Sequence, residues 1–299
     1  MDPTLTLPER MLDQARAFLD GEKTPAEPKA AATVVLVREG DGRPGGLDVY
    51  LLRRHVGMAF AAGMSVFPGG GVDPRDCELD PALWVGPTPE QWAERMDCTP
   101  EQAQELVCAA VRETFEESGV LLAGTADAVV ADTTGAAWEA DRAALEAHEL
   151  SMTEFLTKRG LVLRTDLLSV LGGWLTPNFE PKRYLTWFFV AALPEGQITR
   201  DVSTESDTVA WFSVREAIRL ADEKQMMLLP PTYATMCELY DATTPAEALA
   251  HAHDLPFEMI EPTFNPENNR LESRPRIVEL GIRVGELVHG DGHATPEAR

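Results

Sequence analysis

Three glutamates, Glu113, Glu116 and Glu117, lie in the segment Arg112-Glu113-Thr114-Phe115-Glu116-Glu117-Ser118-Gly119. On a helix turning about 100° per residue, their carboxylates fan across about 100° of one face. Val107, Val111 and Phe115 recur at i, i+4 and i+8 on the far side and would anchor the helix in a core. Like charges at i, i+4 repel. A hard divalent cation turns that repulsion into attraction, and oxygen donors are what Mg²⁺ or Mn²⁺ prefers. Arg112 sits one turn before Glu116 and can fix the direction of its carboxylate. For Glu-x-x-Glu-Glu alone, a solvated acidic helix face is the better explanation. Arg112, Glu113, Glu116, Glu117 and Gly119 together, at roughly 6% each, recur by chance about once in a million starts. That rarity favours a site.

Several elements must hold this helix in place. Residues 8–20 carry an amphipathic pattern (Met11, Leu12, Ala15, Phe18, Leu19) stopped by Gly21, and a polar linker follows over 22–29. Runs at 31–37 and 47–52, joined by the glycine-rich turn 40–46, read as an antiparallel hairpin. Thr88-Pro89-Glu90-Gln91 and Thr99-Pro100-Glu101-Gln102 are helix starts, with a Thr cap, Pro at the first helical position and Gln three after the cap. They predict a short helix over 89–96 and a longer one over 100–118, ended by Gly119. Ser151-x-x-Glu154 and Ser213-x-x-Glu216 predict helices over 152–158 and 214–222. Strand composition marks 167–175, 183–193 and 208–212, and Thr244-Pro245-Ala246-Glu247 opens a late helix. After Phe257 the pattern dissolves into a Pro-, Asn- and Gly-containing tail. Without regular βα alternation, the order argues for an α+β fold rather than a doubly wound parallel sheet.

The balance of 26 Lys and Arg against 49 Asp and Glu leaves a net charge of −23. Such a surface repels nucleic-acid backbones and anionic membranes, so neither is an expected partner. A small phosphorylated substrate stays open, because a bound divalent metal reverses the local sign. Cys77, Cys98, Cys108 and Cys237 have neither zinc-site nor disulfide-framework spacing. The acidic start lacks a signal-peptide pattern, and no apolar run approaches the ~20 residues of a bilayer span. The expectation is a cytoplasmic protein.

Arg-Glu-x-x-Glu-Glu-x-Gly before an aliphatic residue resembles the second half of the Nudix box. The first half, Gly-x5-Glu, has its counterpart in Gly70 and Asp76, with Asp replacing the usual Glu. Seven residues normally separate the halves; here residues 77–111, 35 in number, intervene, an insertion of 28. An insertion that bulges outward would leave both halves in place. The resemblance implies a Nudix-type α/β/α sandwich with a mixed sheet over 31–222. The box insertion would occupy 77–99, with an N-terminal helix and linker over 1–30 and a C-terminal helical extension and tail over 223–299. It further implies a metal site of Glu113, Glu116, Glu117 and the Gly70 carbonyl. Thr204-Glu205-Ser206-Asp207 before Trp211 resembles the family's later acidic loop, which makes Glu205, beside Glu113, a candidate base.

The substrate clue is Leu51-Leu52-Arg53-Arg54 followed by Gly63-Met64-Ser65-Val66-Phe67-Pro68-Gly69-Gly70. It resembles the coenzyme A diphosphatase signature, except that Ala59 stands where that signature has Arg. Arg53 and Arg54, together with Lys182, Arg183 and Tyr184, are the candidate substrate-binding groups, by charge-assisted contact to phosphate and by stacking on a base. Arg54 or the Lys182–Arg183 pair would replace the cation missing at Ala59. ADP-ribose, NADH or a nucleotide sugar is the alternative substrate, and a non-hydrolytic binding module the alternative class. A homodimer fits the reading as well. Trp187-Phe188-Phe189 reads as core, and Met226–Pro231 as core and turn. His251 and His253, at i and i+2 of a helix, point apart and make no metal pair.

Overall fold

The computed structural model describes residues 5–6, 9–40, 46–57, 61–204 and 206–290. Helix α1 (Glu9–Leu19) precedes the sheet. Strands β1 (Lys29–Glu39) and β2 (Leu47–Arg54) form the expected antiparallel hairpin, with Val37 opposite Val49. Two short strands continue from it: β3 (Ser65–Val66) pairs with β2, and β4 (Gly69–Gly71) pairs with β1. Strand β5 (Leu168–Leu175) runs antiparallel to β6 (Tyr184–Ala192), which lies parallel to β1. Strand β7 (Ser206–Ser213) adds antiparallel to β2, and β8 (Met259–Ile260) parallel to β5. The order is β7-β2-β1-β6-β5-β8, a mixed sheet.

Alternation along the strands creates two cores. Ala32, Val34 and Leu36 of β1, Tyr50 and Leu52 of β2, and Trp187 and Phe189 of β6 face one layer of helices. That layer holds α2 (Pro89–Met96), α3 (Pro100–Ser118), α4 (Ala136–Glu146) and α5 (Met152–Arg159). Val35, Val37, Val49, Leu51, Phe188 and Val190 face the other, built from α6 (Val214–Asp222), α7 (Pro230–Glu238), α8 (Pro245–Asp254) and α9 (Pro275–Gly290). Both faces of the central strands are covered, which is why their sequences are near-continuous apolar runs. The architecture is the α/β/α sandwich.

The helix starts behave as their capping chemistry dictates. Thr88, Thr99 and Ser151 each accept from the backbone N–H three residues on, and Gln91, Gln102 and Glu154 reciprocate. Gly119 closes α3 with φ of +74°, a conformation that glycine adopts without steric penalty, and its N–H donates to the Phe115 carbonyl. Ser213 differs: α6 starts there, but its side chain makes no cap bond, and the Glu216 carboxylate is held by Arg219.

Two expectations are corrected. The insertion does not bulge outward: Leu79, Trp92, Ala93 and Met96 are buried in the core beneath the sheet, and Trp92 meets Phe189 edge-on at 5.9 Å. The chain beyond Phe257 does not dissolve either. It supplies β8, a hairpin of Thr263–Asn265 and Arg270–Glu272, and the 16-residue α9, whose Ile277, Gly281 and Val284 face inward at helical spacing. Gly281 and Gly285 dilute that stripe in the sequence. Likewise, Pro230 and Pro231 read as a turn, yet they open α7, where a missing N–H costs nothing. Helix α4 has no side-chain cap to announce it.

Candidate active site

Three consecutive glycines of β4 meet the carboxylate helix one to one. The Gly69 N–H donates to Glu117 Oε2 at 2.7 Å. A Cβ on Gly70 would lie 2.6 Å from the carboxylate atoms of Glu113, so only glycine lets that carboxylate rest against the strand. The Gly71 carbonyl accepts from Arg112 Nη2 at 2.9 Å. Register fixes the glycines, with Ala31, Ala32 and Thr33 of β1 opposite Gly71, Gly70 and Gly69.

Arg112, only 3% exposed, is the hub. Its Nε and Nη2 donate to the two oxygens of Asp76 at 3.1 and 3.0 Å, and its Nη1 to Glu113 at 2.7 Å and Glu116 at 3.2 Å. Asp76 in turn accepts from the Asp73 N–H, which ties the turn after β4 to the pair, and receives the buried Cys108 thiol at 3.5 Å. The two halves of the box are therefore joined through Arg112 despite the insertion. Three carboxylates share one guanidinium. Burial, then the charge of Glu113, pushes Glu116 up to about 8 against the opposing pull of Arg112. Among the described residues, no three His, Cys, Asp or Glu side chains are already grouped as an ion-holding set. Glu113 and Glu116 turn toward Arg112, and Glu117 toward the Gly69 N–H.

Strand register brings Arg53, Arg54 and Tyr184 to the same end of the sheet. Arg53 pairs with Ser65, Arg54 with Ser206, and Tyr184 with Lys29, two residues from the partner of Gly71. By alternation Arg54 faces the α3 layer with Leu52, and Arg53 the opposite one. Lys182 is exposed. Arg183 is buried and committed to the framework: it donates to the carbonyls of Thr176 and Ala26 and to Glu261 Oε1, at 3.0, 3.2 and 3.0 Å. Glu205 and Ala59 lie outside the described residues.

Sequence reasoning missed the segment just before β7. The Tyr50 hydroxyl, beneath this end of the sheet, donates to the Arg200 carbonyl at 3.0 Å. Burial, then the charges of Asp201 and Glu117, hold that hydroxyl well above its ordinary range, so Asp201 and Glu117 both act on one buried ring. Nothing in the letters around Arg200 signals this; the contact joins a β2 side chain to a backbone carbonyl of the segment before β7.

The family model for the NUDT19 Nudix domain matches residues 88–239, a little over half of the chain. A Caenorhabditis elegans protein named putative nudix hydrolase 7 is 25% identical over 208 residues, covering 68% of this chain. The chain spans only 57% of that relative's length. Chicken (Gallus gallus) acyl-coenzyme A diphosphatase NUDT19 is 25% identical over 260 residues, covering 71% of this chain and 68% of its own. A crystal structure of a Nudix hydrolase from Alicyclobacillus acidocaldarius superposes with a TM-score of 0.63 at 26% identity, covering 75% of this chain and 96% of that one. The family model falls on the very helix that carries the carboxylates, and this protein belongs to the Nudix hydrolase superfamily, in the family of the NUDT19 Nudix domain.

Proposed function

We propose that the protein is a divalent-metal-dependent diphosphatase acting on coenzyme A or acyl-coenzyme A type substrates. The observation that carries this reading is the seating of Glu113 against Gly70, in a Phe67-Pro68-Gly69-Gly70 segment of CoA-diphosphatase type. The chicken relative's name supports the substrate class.

Mg²⁺ or Mn²⁺ would be held by Glu113, Glu116 and Glu117 with the Gly70 carbonyl. The donor set fits: all-oxygen ligands suit these hard ions, and one guanidinium among two buried carboxylates and one half-buried one leaves negative charge for a cation to offset. When bound, the ion would neutralise the diphosphate and lower the pKa of the attacking water. The chain's own groups do the rest. Arg112 fixes Glu113 and Glu116 in direction, and Gly70 keeps the approach to them clear. Glu113 or Glu205 takes the proton from the water as general base. Water oxygen bonds to one phosphorus while the bridging oxygen leaves with the other, giving from CoA a phosphopantetheine and an adenosine bisphosphate. Arg54, on the α3 face, receives the nucleotide end with Lys182 and Tyr184 at the start of β6. A homodimer is compatible with this arrangement.

Ala59 favours a second reading, since loss of that cation suits ADP-ribose, NADH or a nucleotide sugar, which lack the 3′-phosphate. Turnover of CoA, acetyl-CoA, ADP-ribose, NADH and nucleotide sugars, each with Mg²⁺ and with Mn²⁺, separates the two readings. CoA or acetyl-CoA hydrolysed fastest supports the first, ADP-ribose or NADH fastest the second. Binding without turnover of any of them would make the protein a binding module.

A further inference from the structure

The last turn of α3 carries Glu116 and Glu117, and its backbone is clamped from outside the box. Arg142 of α4, 4% exposed, donates through Nη1 to the Glu116 carbonyl at 2.6 Å. The same guanidinium is held by two acids of its own helix, Glu139 at 2.8 Å and Glu146 at 3.0 Å. Both acids have a second partner on the segment leading into β7. Glu139 accepts from Arg200 Nη1 at 2.7 Å, while Glu146 Oε1 accepts from the Thr204 hydroxyl at 2.8 Å and its N–H at 3.3 Å. The Arg200 N–H also donates to the Ser118 carbonyl at 2.8 Å. Helix α4 thus joins two backbones that are not neighbours in any strand pairing: the carboxylate turn of α3 and the segment 200–204.

We propose that Arg142 and Glu146 are positioning residues, which set the carboxylate turn of α3 against the Arg200–Thr204 segment and so fix the site for turnover. The inference rests on the diphosphatase reading for its effect on rate; the link itself does not depend on that reading. The physical reason is directional. A cation at a helix C-terminus satisfies carbonyls that have no intrahelical partner and favours the dipole. Here that cation meets the carbonyl of Glu116 itself, so its position is transmitted to the carboxylate through one residue's covalent geometry. Glu146 extends the link to Thr204 by charge-assisted hydrogen bonds, the stronger kind. Arg142 contacts no reacting atom in this scheme. Its removal should therefore change the rate and leave substrate affinity alone.

Glu146 is the residue to test, because its side chain is 25% exposed and its loss leaves no cavity in the core. Glu146→Ala removes the bonds to Arg142 and Thr204; Glu146→Gln keeps an acceptor for the Thr204 hydroxyl. We expect Glu146→Ala to lower kcat about tenfold, the size of one charge-assisted hydrogen bond, with KM within about twofold of wild type. Glu146→Gln should recover only part of that loss, because its amide oxygen keeps the Thr204 bonds while its NH2 cannot accept from Arg142. Native-state hydrogen exchange supplies the readout that needs no substrate: amides of 200–204 should exchange at least about tenfold faster in Glu146→Ala, while those of β1 and β6 stay unchanged. Unchanged exchange over 200–204 overturns the link. Faster exchange with kcat unchanged overturns the positioning role, and so does a loss of activity that only tracks the fraction unfolded. If wild type hydrolyses no diphosphate, the diphosphatase reading and the positioning role fall together, while the exchange result still decides the link.

Discussion

Asp76 and Arg112 form a two-pronged ion pair, Nε to Oδ1 at 3.1 Å and Nη2 to Oδ2 at 3.0 Å, across 35 intervening residues, with both side chains nearly buried. The pair closes a box whose halves are far apart in the chain, and it makes Asp76 a support for the arginine that aims the helix carboxylates. Asp76→Ala would leave Arg112 with fewer acids in a dry setting. Breaking a buried pair from one side costs about 3–5 kcal/mol. Urea unfolding should show a loss of that order, and a change below about 1 kcal/mol would contradict the pair's structural role.

One face of the insertion belongs to the core. Trp92 is fully buried against Phe189, and the indole N–H of Trp187 reaches the Met96 carbonyl at 3.3 Å. Trp92→Ala should destabilise the fold by about 3–5 kcal/mol, and deletion of 77–99 should abolish cooperative unfolding. A deletion that melts like wild type would show that the outward bulge was right after all.

Glu116 gives the site a pH signature. Its folded-state pKa, about 8, is raised above the ordinary 4.5, so the metal-free fold favours the protonated carboxyl. That contribution to stability is whole below about pH 4.5 and is lost as pH rises through about 8. A bound cation requires the charged form, so Mg²⁺ binding at pH 7 should release up to about one proton per chain, and affinity should tighten toward pH 8. Titration calorimetry in two buffers of different ionisation heat reads this directly. Glu116→Gln should remove the buffer dependence.

Arg183 and Lys182 should separate. With its donors spent on Thr176, Ala26 and Glu261, Arg183→Ala should lower thermal stability. Lys182→Ala should leave stability unchanged and, if Lys182 meets the 3′-phosphate, weaken CoA relative to dephospho-CoA roughly tenfold to a hundredfold. Equal handling of CoA and dephospho-CoA by wild type would place the 3′-phosphate outside the site.

What was legible in the letters was local. Thr-Pro-Glu-Gln caps, the Gly119 stop and the apolar runs of β1, β2 and β6 carry their structure in a few neighbouring residues, and the carboxylate spacing of α3 does the same for the site. What was hidden depends on contacts between distant segments. Arg183 looked like a phosphate ligand until its carbonyl partners, from residues 26 and 176, were in place. The role of α4 is invisible in sequence because Arg142 meets a backbone carbonyl, which has no residue identity to recognise. Trp92 gives no sign of which way an inserted helix will turn.

The most direct test of the central claim is hydrolysis of CoA and acetyl-CoA in saturating Mg²⁺ by wild type, Glu116→Gln and Glu117→Gln, with folding checked by thermal melting. Each substitution removes a formal charge from the oxygen set proposed to hold the ion and leaves a side chain of the same shape. The expected result is phosphopantetheine-containing product from wild type, a loss of turnover by orders of magnitude in both variants, and melting close to wild type. Near-wild-type turnover in both variants, or turnover unaffected by EDTA, would contradict it.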